Sequence, residues 1–236
     1  NNIKLKSPLI KVEEKKNIFF IDGKVINDQQ NFDLNKLEPI FGDLLSVIET
    51  EKIDFNSINT FSFNINKKLK LNDLKLETNL NLKNFKTVKN PLNLNFFLPN
   101  YTEQVKFEDH KIKIKLTKNI LHVKGEGDIY IGGELEKLSY KINSNDGRIT
   151  FDTKLNIKNN PLVIDFLDYE NKKKSSSEIL LKGTYKENKE LVFQIISIIE
   201  KNNKIFFKNL LLSKNFKIKD LDYIKLDYRN KNDLLN

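Results

Sequence analysis

The chain contains no cysteine, no methionine, no tryptophan and no alanine. Lack of cysteine excludes disulfide frameworks, thiolate metal sites and cysteine nucleophiles, but does not fix the compartment. With no initiating methionine, a sequence that opens at Asn1 is expected to be a segment or a processed product of a longer protein. No run of 18 apolar residues is present, so no stretch of this sequence spans a bilayer as a helix, and no signal peptide is visible. Arginine is nearly absent too: only Arg148 and Arg229 occur, against a formal net charge of +9 over 236 residues. Readers of phosphates and bases favour the planar arginine fork, whereas here the charge is scattered lysine, so no nucleic-acid partner is expected. Lysine, asparagine, isoleucine and phenylalanine are abundant, as in proteins of AT-rich genomes.

What is present is enough apolar sequence to fold, 39% of the chain beside 31% charged residues. Its dominant pattern has period two, the mark of strands with one apolar face. Ile112, Ile114 and Leu116 alternate with Lys111, Lys113 and Lys115. Leu121, Val123, Ile129 and Ile131 share one parity, with His122, Lys124, Glu126 and Asp128 on the other. Ile149, Phe151, Leu155 and Ile157 continue it, as do Leu74, Leu76, Leu80 and Leu82, then Leu191, Phe193 and Ile195, then Ile224, Leu226 and Tyr228. Turn signals separate the runs, among them Asn66-Lys67-Lys68, Gly132-Gly133, Asn145-Asp146-Gly147 and Asn202-Asn203. Short connections between strands predict a mainly β chain built as a long antiparallel meander.

Two helices are expected. Leu34, Leu37, Ile40, Phe41, Leu44, Leu45 and Ile48 follow helical spacing over about 34–49, with Asp33 as a candidate cap. A short one is expected over about 161–169, with Asn160 as cap and Pro161 at its first position. Residues 172–177, lysine- and serine-rich, read as a flexible loop. An echo links Asn66–Leu76 with Asn203–Leu212, each a turn, a strand, a polar kink and another strand. Leu191–Ile199 and Ile205–Leu212 are apolar on both parities, which requires either a cover on the second face or a curved sheet with an apolar guest.

No catalytic constellation is found. Gly125-Glu126-Gly127 lacks the third glycine of a dinucleotide loop and lies inside a strand pattern, so it reads as a bend or bulge. His110 and His122, the only histidines, read as turn and surface residues; no metal site or cofactor is expected. The carboxylate pairs Glu13-Glu14, Asp220/Asp222 and Glu126/Asp128 read as solvated charge, and Ser175-Ser176-Ser177 has no base near it in sequence.

Several stretches carry a resemblance: Ile53-Asp54-Phe55 with Phe61-Ser62-Phe63-Asn64-Ile65; Asp109-His110-Lys111-Ile112 with Leu121 to Asp128; Asn159 to Tyr169; and Leu210 to Tyr228. In these the chain resembles the AsmA-like proteins of the YhdP type, over residues 30–230. The resemblance implies a strongly curved open sheet, a half-pipe with an apolar inner face. It further implies a periplasmic protein anchored to the inner membrane by a segment outside this sequence. Such a groove conducts phospholipids between inner and outer membranes, touching their acyl chains and using no catalytic residues. On this reading residues 1–236 form one groove segment, expected to be monomeric. Its expected lining is Ile112, Ile114, Leu116, Leu121, Val123, Ile129, Ile131, Phe151, Leu155, Ile157, Phe193 and Ile195. The alternative is a non-catalytic β-scaffold that binds another protein, in which the same residues are ordinary core.

Overall fold

The structure, a computed structural model, describes residues 5–33, 52–86, 105–118, 120–164, 167–171, 175–186, 190–213, 217–229 and 234–235. The strands are β1 (Leu5–Lys15), β2 (Ile18–Asp33), β3 (Lys52–Asn66), β4 (Leu71–Lys86), β5 (Lys106–Thr117), β6 (Ile120–Ile131), β7 (Glu134–Asn145) and β8 (Arg148–Ile157). There follow β9 (Val163–Ile164), β10 (Tyr169–Glu170), β11 (Ser177–Lys186), β12 (Glu190–Glu200), β13 (Asn203–Ser213), β14 (Ile218–Arg229) and β15 (Leu234–Leu235). Thirteen of them form one antiparallel sheet in sequence order, with β8 beside β11; β9 and β10 pair separately. At about 4.8 Å per strand the sheet extends about 60 Å.

The predicted meander is therefore the fold, an open curved sheet. Tight turns make it: Lys16-Asn17, Gly132-Gly133 and Asp146-Gly147 all take the left-handed conformation that two-residue hairpin turns require. Among the described residues, the only second sheet is the two-stranded β9–β10, and Ile164 and Tyr169 from it join the buried cluster with Ile131, Ile157 and Ile205 at one end of the large sheet.

Local devices bend the sheet. Bulges interrupt the register of β3 with β4, β5 with β6, β11 with β12 and β13 with β14. The sequence echo is visible as geometry. Asp73 in β4 and Asn209 in β13 both adopt positive φ, 51° and 52°, and each bonds across to a neighbouring strand. Asn64 Nδ2 donates to Asp73 at 2.8 Å, and Asn209 Nδ2 donates to Asp222 at 2.7 Å.

Two expectations are corrected here. The described residues of 161–169 do not form the expected helix: Tyr169 pairs with Ile164 and Glu170 with Val163, antiparallel. Asn160 gives its side-chain amide to Ile131 O (3.0 Å) and to Glu136 (2.9 Å) rather than capping its own segment. Leu162, Ile164 and Tyr169 are then buried against the sheet, which a helical period would not allow for all three. Within 172–177, Ser175 and Ser177 are buried and Ser177 opens β11, so that end is no exposed tip; residues 172–174 lie outside the described residues. The helix expected over 34–49 lies outside them as well.

Candidate functional site

Register assigns each side chain to a face, because directly paired residues point the same way. One row crosses the sheet as Val25, Asn59, Thr78, Ile114, Val123, Ile142, Phe151, Gly183, Phe193, Leu210 and Leu221. The row nearer the β5–β6 turn holds Leu76, Leu116, Leu121, Ser144, Ile149, Tyr185, Leu191 and Leu212. The row on the other side holds Leu80, Ile112, Gly125, Tyr140, Thr153, Leu181, Ile196 and Phe207. Three such rows, about 7 Å apart, make an apolar strip about 14 Å wide that runs across the strands. The opposite face carries Lys113 and Lys115 paired with Glu77, Lys154 with Glu178 and Lys182 with Asp152. These exposed pairs contribute about 0–1 kcal/mol each and keep that face wet from β4 to β11; over β12 and β13 it also carries Val192, Ile195, Phe206 and Leu211.

Glycines lie on the apolar face under rings. A Cβ on Gly23 would overlap the Phe61 ring, on Gly125 the Tyr140 ring, on Gly127 the His110 ring, and on Gly183 the Phe151 ring. Each ring thus lies down across the neighbouring strand, and the missing side chain lets the sheet close toward this face. Gly125-Glu126-Gly127, read from sequence as relief of crowding, does this opposite the bulge between Glu108 and Lys111.

The expected lining residues fall into three groups. Ile112, Ile114, Leu116, Leu121, Val123, Phe151, Leu155 and Phe193 stand half-buried on the apolar face. Ile129, Ile131 and Ile157 are on that face but buried, at 8%, 2% and 0% exposure, in one cluster with Leu162, Ile164 and Tyr169 of the segment that follows β8. Leu155 packs against the edge of this core. Ile195 is on the other face: the bulge in β12 sets it opposite Lys182, while Phe193 sits opposite Gly183. Strict alternation puts Phe193 and Ile195 together, and one extra residue, Gln194, separates them; it also explains why Leu191–Ile199 is apolar on both parities.

The strap over 158–171 is pinned by buried polar groups that the sequence pattern did not reveal. The Glu136 carboxylate accepts the backbone N–H of Lys158 (2.7 Å), Asn159 (3.0 Å) and Asn160 (2.9 Å). Leu162 N–H donates to Asn171 Oδ1 at 2.6 Å, and Asn171 Nδ2 donates to Ser177 Oγ at 3.0 Å. The Tyr169 hydroxyl donates to Glu200 at 2.7 Å; burial and then that bond push its pKa up. The Tyr228 hydroxyl donates to Leu167 O. A second unforeseen feature is a polar ladder on the apolar face of β2–β4. Asn27 and Asn59 both donate to Ser57 Oγ, at 3.0 and 2.9 Å, and Thr78 donates to Asn59 Oδ1 at 2.9 Å. The ladder leaves Asn27 Oδ1 buried without a partner, and it places no charge on that part of the face.

His110 is not a turn residue but part of the floor, 1% exposed, beside Phe107 and Tyr140 with its Nε2 2.9 Å from Asp128 O. Burial holds its imidazole below the usual histidine range, opposed by the Asp128 carbonyl. The unfolded chain therefore takes up a proton before the fold does, so His110 contributes stability above about pH 6.5 that is lost as pH falls through the folded pKa. Urea unfolding at about pH 7.5 and about pH 5.5 should show a stability loss on acidification that shrinks in His110→Gln. An equal loss in the variant would contradict this assignment. His122 is exposed and bonded to Asn143 at 2.6 Å.

Comparison with protein-family models, with curated proteins and with solved structures gives no match. Among the described residues there is no cluster of metal-ligating side chains, and no helix is long and apolar enough to cross a membrane.

Proposed function

We propose that the apolar face is a lipid trough: a segment of an AsmA-like envelope protein that binds phospholipid acyl chains and lets them slide between inner and outer membranes. One observation carries the reading. A contiguous strip of largely half-buried aliphatic and aromatic side chains crosses the sheet from β4 to β14, and the buried cluster that β9 and β10 form on this face includes none of the row through Ile114, Val123 and Phe151. Transfer of an acyl chain from water onto such a strip gains about 0.8 kcal/mol per buried methylene and needs no directional contact, so a chain can move along it. The half-pipe form, the glycines and bulges that close it, and the charged outer face of β4 to β11 all serve that use. On this reading the protein acts in the periplasm, held at the inner membrane by a part outside this sequence. It works as a monomer, without cofactor and without catalysing a reaction.

The strap gives the trough a floor plan. It fills the end of the face nearest Ile131, Ile157 and Ile205, and leaves the three rows around Ile114 for the chain. A phospholipid with a photoreactive group along its acyl chain tests this. Crosslinks are expected at Ile112, Val123, Phe151 and Phe193. Crosslinks confined to the lysine-bearing face, or to no residue, would overturn the reading.

A further inference from the structure

The turns that join β1 to β2, β3 to β4 and β5 to β6 lie side by side on one rim, because successive antiparallel hairpins send their loops to the same side. The Lys118 N–H, in the third turn, reaches Leu74 O at 3.4 Å, next to the second. Each turn joins lysine to an exposed apolar side chain. The first has Lys16 beside Phe19 and Phe20, and the third has Lys118 beside Ile120.

The middle turn is the most pronounced. Lys67, Lys68 and Lys70 surround Leu69, which is 84% exposed and held at φ 57°. That conformation suits glycine or asparagine and disfavours leucine. Yet the turn is firmly built: Asn66 O accepts the Leu69 N–H at 2.9 Å, and Asn66 Oδ1 accepts the N–H groups of Lys68 (2.9 Å) and Lys70 (3.1 Å). Leu69 is thus fixed outward, and with so little of it covered the fold gains almost nothing from its side chain. Lys16, Lys67, Lys68, Lys70 and Lys118 lie outside the ion pairs that join described residues.

An exposed apolar side chain and several lysines outside those ion pairs, on turns of one rim, match a membrane interface, where the lysines meet anionic headgroups and the leucine enters the acyl boundary. A nucleic acid fits less well, since lysine lacks the bidentate fork and leucine offers no stacking face. We infer that this rim docks on an anionic membrane surface, with Leu69 inserted and the flanking lysines on lipid phosphates. The docking is separate from occupancy of the trough and can succeed or fail without it.

Flotation of the full chain with vesicles tests it, using phosphatidylcholine alone and phosphatidylcholine mixed with phosphatidylglycerol. The chain should bind the mixed vesicles, bind neutral ones little, and lose binding as salt rises. Leu69→Asn relieves the backbone, so its melting temperature should match or exceed that of the unaltered chain while its vesicle affinity falls about tenfold. Replacing Lys67, Lys68 and Lys70 by glutamate should lower affinity at least about a hundredfold, from roughly fivefold per lysine. The inference is overturned by equal binding to both vesicles, by no binding, by variants that bind as the unaltered chain does, or by a preference for an oligonucleotide over the mixed vesicles.

Discussion

A chain carrying both Ile114→Glu and Val123→Glu is expected to fold and to carry no phospholipid. The two residues are directly paired between β5 and β6, in the row that also holds Thr78 and Ile142, and each is half-buried. Two carboxylates at the centre of the strip would have to lose water whenever an acyl chain passes, a cost of several kcal/mol for each charge. That exceeds what the few methylenes at that point return, so the path is blocked. In the empty trough the same carboxylates reach solvent, so the loss of fold stability should stay near about 1–2 kcal/mol. Circular dichroism melts and phospholipid extraction from the purified variant measure both halves. Ile157→Glu is the contrast: that side chain has 0% exposure under the strap, and a charge there should unfold the chain. If Ile114→Glu/Val123→Glu unfolds as Ile157→Glu does, the strip is core; if it keeps its phospholipid, these residues are not on the path.

Glu136→Ala is expected to cost about 3–5 kcal/mol, far more than removal of any carboxylate from the outer face. Its oxygens take three consecutive backbone N–H groups, of Lys158, Asn159 and Asn160, and the Asn160 side-chain amide, all at 2.7–3.0 Å. Glu136 and Asn160 are both buried, so the alanine variant strands several donors, at about 1–3 kcal/mol per buried unsatisfied group before water re-enters. Glu178→Ala, which breaks the exposed pair with Lys154, should cost less than about 1 kcal/mol. Urea titration compares the two variants. A Glu136→Ala chain as stable as Glu178→Ala would mean that the strap is not anchored by this carboxylate.

The parts of the fold legible in the sequence were those with local causes. Alternation at Ile112, Ile114 and Leu116 and at Leu121 and Val123 announces two strands, and Gly132-Gly133 and Asp146-Gly147 announce the turns that end β6 and β7. Parity fails wherever one residue is inserted, since the pattern of Phe193 and Ile195 looks the same with or without a bulge at Gln194. The strap was misread because Asn160-Pro161 imitates a helix start, while the interactions that overrule it come from Ile131 and Glu136, at least 24 positions away. His110 was misplaced for a similar reason: its burial depends on Gly127 across the pair and on the rings of Phe107 and Tyr140. The candidate face was legible as a face; which of its residues are covered depends on a chain reversal that no periodicity records.

Native mass spectrometry of the purified chain, with its lipids extracted and identified in parallel, tests the central claim most directly. The account predicts phospholipid adducts at more than one per chain, because a strip crossing nine strands, about 40 Å, accommodates more than one acyl chain in line. Those adducts should be absent from the Ile114→Glu/Val123→Glu chain. A folded, monodisperse chain that carries no lipid and takes up none from added phospholipid would contradict the account and make the face a scaffold surface for another protein.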